Sequence, residues 1–452
     1  MQWVRAVVRL DWGVARRAWS IAWPLMVADS FESILWLVDA YFVSFLGDDA
    51  LAAVGLGGYL DWLFFTGATL FITGVLVVAG QSIGAGRRDV GRIIGEGAVS
   101  AFLYAIPIMA AGIAYAGPMI RVLAGDGVSP RVYEMAVEYF TVRLYSLPFL
   151  YAYMALDAGY RAAGVSKPVM VSVTVGGVAN MILDPLLILG LGPFPEMGIR
   201  GAALASVIAT IISLALIIAY SPSLGFRLQP ALPGRRTLLM ARVGLPALLE
   251  RIVFVTGNLA YLGAVARCGD DALAAHTVGV RVESLAFLPL FSIGTVASSM
   301  VSQLVGSGDI REARRVGVEI AKFSFLAGVV VGGMLIALSW VVPEAFTDSE
   351  HIKRLAMVYL ILAGVTEPAL ALIFTLSQAI RGAGNTLVPT LVNVVGLYLL
   401  RVLPAFILRD IPIMGECVYS VWLAMVIDTV GRGLVFAVVY TRYFGRLARK
   451  LV

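Results

Sequence analysis

Apolar residues along this chain gather into long runs, and polar residues fall into short breaks between them. Twelve runs are each long enough to cross ~30 Å of hydrocarbon as a helix. They lie at about 17–45, 54–80, 94–117, 132–156, 168–190, 198–220, 240–267, 275–303, 316–340, 353–378, 387–409 and 416–441. A span in lipid must pair its backbone polar groups internally, so each run predicts a helix. The short alternating segments of a membrane barrel do not appear. Pro24, Pro107, Pro148, Pro246 and Pro289 fall inside runs and predict kinks. The stretch 221–239, with Pro222, Pro230, Pro233 and Gly234, reads as a linker between an N-lobe (1–220) and a C-lobe (240–452).

The pattern repeats. Gly47-Asp48-Asp49-Ala50-Leu51-Ala52-Ala53 returns as Gly269-Asp270-Asp271-Ala272-Leu273-Ala274-Ala275, an offset of 222. At that offset Pro24 falls on Pro246, Gln81, Gly84 and Gly86 on Gln303, Gly306 and Gly308, and Arg92 and Gly95 on Arg314 and Gly317. Two motifs held in register make the chain a tandem of related halves. Six spans per half is an even number, so the halves share one orientation, as parallel repeats do. The expected fold class is an all-α polytopic membrane protein of twelve transmembrane helices in two parallel six-helix repeats. The copies differ at Asp39, whose counterpart is Tyr261.

Composition agrees with a life in lipid. The chain is 60% hydrophobic and 14% charged, against about 25% charged in soluble domains. Alternate breaks, together with both ends, hold 22 of the 34 Lys and Arg, which places both termini in the cytoplasm. Net charge +5 is then a signal of topology and not of nucleic-acid binding. Arg5, Arg9, Arg16 and Arg17 form a basic lead-in with no small-residue cleavage site behind it. The two cysteines, Cys268 and Cys417, fall near outer helix ends; free buried thiols are the first reading, with pairing in an oxidising exterior as the alternative.

An ionisable group in mid-membrane costs ~2.5–3.5 kcal/mol, so each one needs a reason. Asp39 lies in mid-span and shares a helix face with Glu32 and Trp36. Asp184 follows Asn180 by four residues and shares its face. With Ser206 these make an oxygen-rich cluster suited to a proton or a hard monovalent cation. Burial and a neighbouring acid are what move carboxylates toward titration near neutral pH. No basic residue stands at matching depth in spans one, two, five or six. Glu250 with Arg251, Arg281 with Glu283, and Asp428 with Arg432 are expected to neutralise one another. Arg401 stands where Asn180 falls in the first half, at offset 221. Asp61, Arg143 and Glu367 stay unassigned, and Tyr139, Tyr145, Tyr151 and Tyr153 read first as packing. Phosphate loops, zinc-protease motifs and nucleophile elbows are missing. The two histidines, His276 and His351, are far apart, so neither an enzyme nor a resident metal or other cofactor is expected.

These residues together resemble the multidrug and toxic compound extrusion (MATE) transporters, in the archaeal and DNA-damage-inducible-protein-F-like branch. The resemblance spans about 15–445. It rests on Pro24 with Trp36-Leu37-Val38-Asp39, the paired Gly-Asp-Asp turns, Gln81…Gly84-Ala85-Gly86, Arg161-Ala-Ala-Gly164, Asn180…Asp184-Pro185 and Gly201-Ala-Ala-Leu-Ala-Ser206. It implies two six-helix lobes around a central cleft, working by alternating access as a monomer in the plasma membrane. The partners it implies are the bilayer and small organic cations or amphiphiles, exported in exchange for H⁺ or Na⁺. The implied ion site is Asp39, Asn180 and Asp184 with the Ser206 hydroxyl and the Ala202 carbonyl. The implied substrate cavity takes Tyr139, Asp157, Trp36 and Glu32, although Asp157 stands where the branch often has an amide. The C-lobe ion site of a bacterial sub-branch is not expected, because Val255 occupies its helix-seven position. The competing readings are a lipid-linked precursor flippase of the same superfamily and, far behind, a membrane-embedded enzyme built on Asp157 and Arg161.

Overall fold

The computed structural model describes residues 10–411, 413 and 415–452; Arg5, Arg9 and the side chains of Glu32, Trp36 and Asp126 lie outside the described residues. Each predicted run forms a helix. These are α1 Trp12–Ser44, α2 Asp48–Gly84, α3 Val90–Ala114, α4 in two pieces (Pro130–Leu144 and Leu147–Ala163), α5 Lys167–Ile188 and α6 Ile199–Ala219. The second half supplies α7 Arg235–Ala266, α8 Asp270–Ser307, α9 Ile310–Leu338, α10 Glu350–Gly382, α11 Leu387–Leu408 and α12 Cys417–Leu447. All but α4 and α7 are long and apolar enough to cross a membrane by themselves. The break in α4 follows from Pro148, which has no N–H to continue the ladder, while Ser146 turns its hydroxyl back onto the Arg143 carbonyl at 2.7 Å. The other prolines expected to kink lie inside unbroken helices.

Packing gathers the chain into two units. One is Val27–Ala79 with Arg87–Gly244; the other is Met1–Met26, Gly80–Gly86 and Leu245–Val452. In the first, α5 packs on α6 through a Ser213 hydroxyl bonded to the Ser172 carbonyl at 3.1 Å. Tyr151 reaches from α4 to the Phe64 carbonyl of α2 at 2.6 Å. In the second, Tyr261, Tyr359 and Trp422 build an aromatic core around His276.

The repeat is visible in the backbone. Gly47 and Gly269 open α2 and α8 with φ of 96° and 109°, values that favour glycine. The acids after them lie at helix N-termini, where the backbone dipole favours negative charge. Gly84 and Gly306 form a reciprocal crossing. A Cβ on Gly84 would lie 1.7 Å from the Gln303 carbonyl oxygen, and one on Gly306 would lie 2.0 Å from that of Gln81. Gly84→Ala is therefore expected to cost about 1–3 kcal/mol as an overpacked contact. Thermal unfolding in detergent measures it, and an unchanged midpoint would remove the crossing as a constraint.

Gln81 also holds the end of the chain. Its amide donates to the carbonyls of Gly382 (3.3 Å) and Arg449 (3.0 Å) and accepts from the Leu451 N–H at 2.8 Å. The cysteines require a correction. Cys268 and Cys417 form a disulfide with Cα atoms 5.5 Å apart. The turn closing α7 and the start of α12 meet, although 149 residues separate them in sequence.

Candidate functional site

Polar groups that the apolar spans cannot solvate must find partners inside the helix packing. In the unit containing α5, Asn180 does this for two acids at once. Its amide nitrogen donates to Asp39 Oδ1 at 3.0 Å and to Asp184 Oδ2 at 2.9 Å. Asp184 is fully buried and Asp39 half-buried. The second Asp184 oxygen, Oδ1, is buried and has no hydrogen-bond partner. One amide thus draws two carboxylates from α1 and α5 together and leaves an acceptor position without a donor. Such a position suits a proton or a small hard cation.

The surroundings were only partly foreseen. A basic residue does reach this depth, from α4: Arg143 bonds Asp61 at 2.7 Å, and its charge bears on Asp39 and Asp184. The expectation covered spans one, two, five and six, and Arg143 comes from outside them, on span four. The charges of Asp39, Asp184, Asp61 and Arg143 all bear on the buried Tyr139 hydroxyl. Ser206 is buried, but its hydroxyl turns back onto the Ala202 carbonyl at 3.3 Å and makes no bond to the trio. Asp157 is held by Arg161 at 2.8 Å, and Arg161 also reaches Asp29 at 3.5 Å. The side chains of Glu32 and Trp36 lie outside the described residues. Tyr151 and Tyr153 are packing residues, and Tyr145 is exposed.

The second repeat places unlike chemistry at the same positions. Tyr261, the counterpart of Asp39, is buried and donates to the Val421 carbonyl at 3.1 Å. Arg401, the counterpart of Asn180, stacks over that ring at 5.6 Å. Its guanidinium bonds Asp428 at 2.8 Å, and Asp428 also takes Arg432 at 2.5 Å, as the sequence spacing predicts. Two other pairings need correcting. Glu250 is neutralised by Arg381 (2.6 Å) with support from Asn393 (2.8 Å), so its partner comes from α10 and not from the adjacent Arg251. Glu283 accepts from Tyr359 at 2.5 Å instead of pairing with Arg281. In both cases helix packing brings a closer partner than the sequence neighbour. Glu367 is fully buried with neither oxygen bonded.

A family model described as MatE matches the chain twice, over residues 24–186 and 246–407. The chain belongs to the MatE family. The two matches start 222 residues apart (246 against 24), which is the repeat offset. MatE proteins are membrane transporters, and this chain is a transporter and not an enzyme. A relative named probable multidrug resistance protein NorM, from Thermotoga maritima, is 26% identical over 91% of this chain and 89% of its own. YoeA of Bacillus subtilis, named a probable multidrug resistance protein, is 27% identical over 85% of each chain. A Shewanella oneidensis protein named FAD transporter is 23% identical over 80% of this chain and 81% of its own. Among solved structures, the Vibrio cholerae MATE transporter VcmN in its bent form superposes with a TM-score of 0.87 at 18% identity. It covers 96% of this chain and 98% of its own. A MOP superfamily transporter from Pyrococcus furiosus gives 0.86 at 20% identity, over 96% and 97%. At those identities the likeness is one of fold: the twelve-helix MatE architecture.

Proposed function

We propose that this MatE protein exports cationic or amphipathic organic compounds in exchange for H⁺ or Na⁺. It works by alternating access, as a monomer in the cell membrane with both termini in the cytoplasm. Lobes 1–220 and 240–452, joined by 221–239, are the moving parts. The observation that carries the reading is the buried, unpartnered Asp184 Oδ1 beside Asp39 and Asn180. The Asp39–Asn180–Asp184 trio is the ion site, with the Ser206 hydroxyl and Ala202 carbonyl able to join it when the hydroxyl rotates. Asp157 and Tyr139 line the cavity where substrate binds. Relatives named as multidrug resistance proteins support an organic substrate.

Exchange follows from charge. An organic cation favours the ionised acids, and a bound proton or Na⁺ removes the charge that holds it. Loss of that charge lets α1 bend near Pro24 and changes the cavity volume. The shift can be no larger than the difference in affinity between the two states. Drug affinity measured between about pH 5.5 and 8.5, the range of buried carboxylate titration, with and without Na⁺, tests the reading. Affinity should fall as either ion rises, and the Asp39→Asn/Asp184→Asn pair should abolish that dependence. Affinity indifferent to both ions in the unaltered protein would overturn it.

A further inference from the structure

The ends of α9 and α12 line an open cavity of about 510 Å³ that the transport reading does not use. Arg311 and Arg314 line it from the first turns of α9, and Arg442 and Arg446 from the last turns of α12, with Phe444 as an apolar wall. No acidic side chain lines it. Arg314 is steered by a bond to the Thr441 carbonyl, while Arg311, Arg442 and Arg446 have no acidic partner among the described residues. The acids flanking Arg311 in sequence make bonds of their own. Glu312 is paired with Arg315, and Asp309 caps α9 by accepting from the Glu312 N–H at 2.9 Å.

The first repeat shows what neutralisation would look like. At offset 222, Arg311 corresponds to Asp89. Asp89 binds Arg87 at 3.0 Å and also binds Arg236, so the basic residues there are compensated by an internal acid. The hydrogen bond from Arg87 holds the Asp89 carboxyl below the usual carboxylate range. In the second repeat the acid has become a base. Arg311 also sits in the first turn of α9, where the helix dipole disfavours a cation. Four guanidinium groups gathered without a counter-charge need one from outside the chain.

We propose that this cavity binds the phosphate of an anionic membrane lipid. Guanidinium forks match phosphate oxygens two at a time, and basic pockets at the cytoplasmic ends of spans draw anionic headgroups. A lipid fits better than a soluble phosphate because both helices run on from the cavity as apolar spans. Phe325, Leu326 and Val330 on α9 and Leu434, Val438 and Tyr443 on α12 are all exposed, leaving apolar surface for acyl chains. The assignment to the inner leaflet rests on the topology proposed above, and not on transport.

Native mass spectrometry of the full chain, equilibrated with phosphatidylglycerol or phosphatidylcholine, reads the site directly. The unaltered protein should retain phosphatidylglycerol in preference. Arg442→Gln/Arg446→Gln should weaken retention roughly fivefold per arginine, in line with ~1 kcal/mol for each basic group. Arg311→Asp, which restores the acid of the first repeat, should abolish the preference. These side chains are exposed, so thermal midpoints in neutral detergent should hold and separate lost binding from lost folding. Equal retention by protein and variants, or no preference between the lipids, overturns the site. Complete displacement by excess inorganic phosphate overturns the lipid and leaves a soluble anion. An impermeant thiol reagent should label Ser307→Cys in inside-out vesicles. Labelling only from the opposite side would overturn the inner-leaflet assignment and the topology, whatever the lipid retention and whatever the drug transport.

Discussion

An Asp184→Asn variant is expected to insert and fold near normally and to lose gradient-driven efflux down to background. The two halves of that outcome follow from the two oxygens. Oδ2 accepts from Asn180, and an asparagine carbonyl can accept the same bond, so the α5 contact to its own turn survives. Oδ1 is buried and unbonded, and it is the position where a proton or cation would complete the group. An amide there cannot be protonated near neutral pH and carries no charge to exchange. Asp39→Asn should match it, because Asp39 is the other carboxylate on the same amide. Glu250→Gln is the informative contrast. Arg381 and Asn393 occupy both Glu250 oxygens, so its loss should lower thermal stability while efflux scales with the folded protein that remains. Measured in vesicles at matched expression, full efflux by Asp184→Asn would sink the ion-site assignment. Loss of ion response in Glu250→Gln would move the site to the second half.

The sequence made the trio legible for a physical reason. Polar residues in apolar runs are rare, and Asn180 with Asp184 at i and i+4 must share a face whatever the helix packs against. Asp39 stood out because the repeat supplied an internal control, Tyr261, which the structure buries in an aromatic core. Partners across helices were not legible. Asp61 meets Arg143 across 82 positions and Glu250 meets Arg381 across 131. No short-range spacing encodes such contacts, so the nearest base in sequence was chosen and was wrong for Glu250. The cysteines failed in the same way, because helix ends 149 residues apart are joined only by the packing of α7 and α12. The turn of the Ser206 hydroxyl onto Ala202 is a rotamer choice that no motif fixes.

The largest loss of stability is expected from Asp428→Asn. Asp428 has no exposed surface and accepts from Arg401 at 2.8 Å and from Arg432 through two nitrogens at 2.5 Å each. Arg432 runs on to the Asn393 carbonyl at 3.3 Å, and Asn393 to Glu250 and so to Arg381. The chain of groups holds three guanidiniums against two carboxylates, so it already carries one excess positive charge. Removing the Asp428 charge leaves Arg401 and Arg432 buried without their shared carboxylate, while Glu250 is already bonded to Arg381. Breaking a buried pair from one side costs ~3–5 kcal/mol, because the remaining charge loses its compensation and not merely a contact. Asp428→Asn should therefore lower the thermal midpoint more than Gly84→Ala or Glu250→Gln. The cation–π contact of Arg401 on Tyr261 offers no substitute for the lost acid, since ring faces contribute ~0.5–2 kcal/mol. Pairing Asp428→Asn with Arg432→Met removes one of the stranded charges and should recover part of the loss, since residues in one network do not act additively. A midpoint indifferent to Asp428→Asn, or a double variant less stable than the single, would show that the arginines find water or another acid, and the network would lose its structural role.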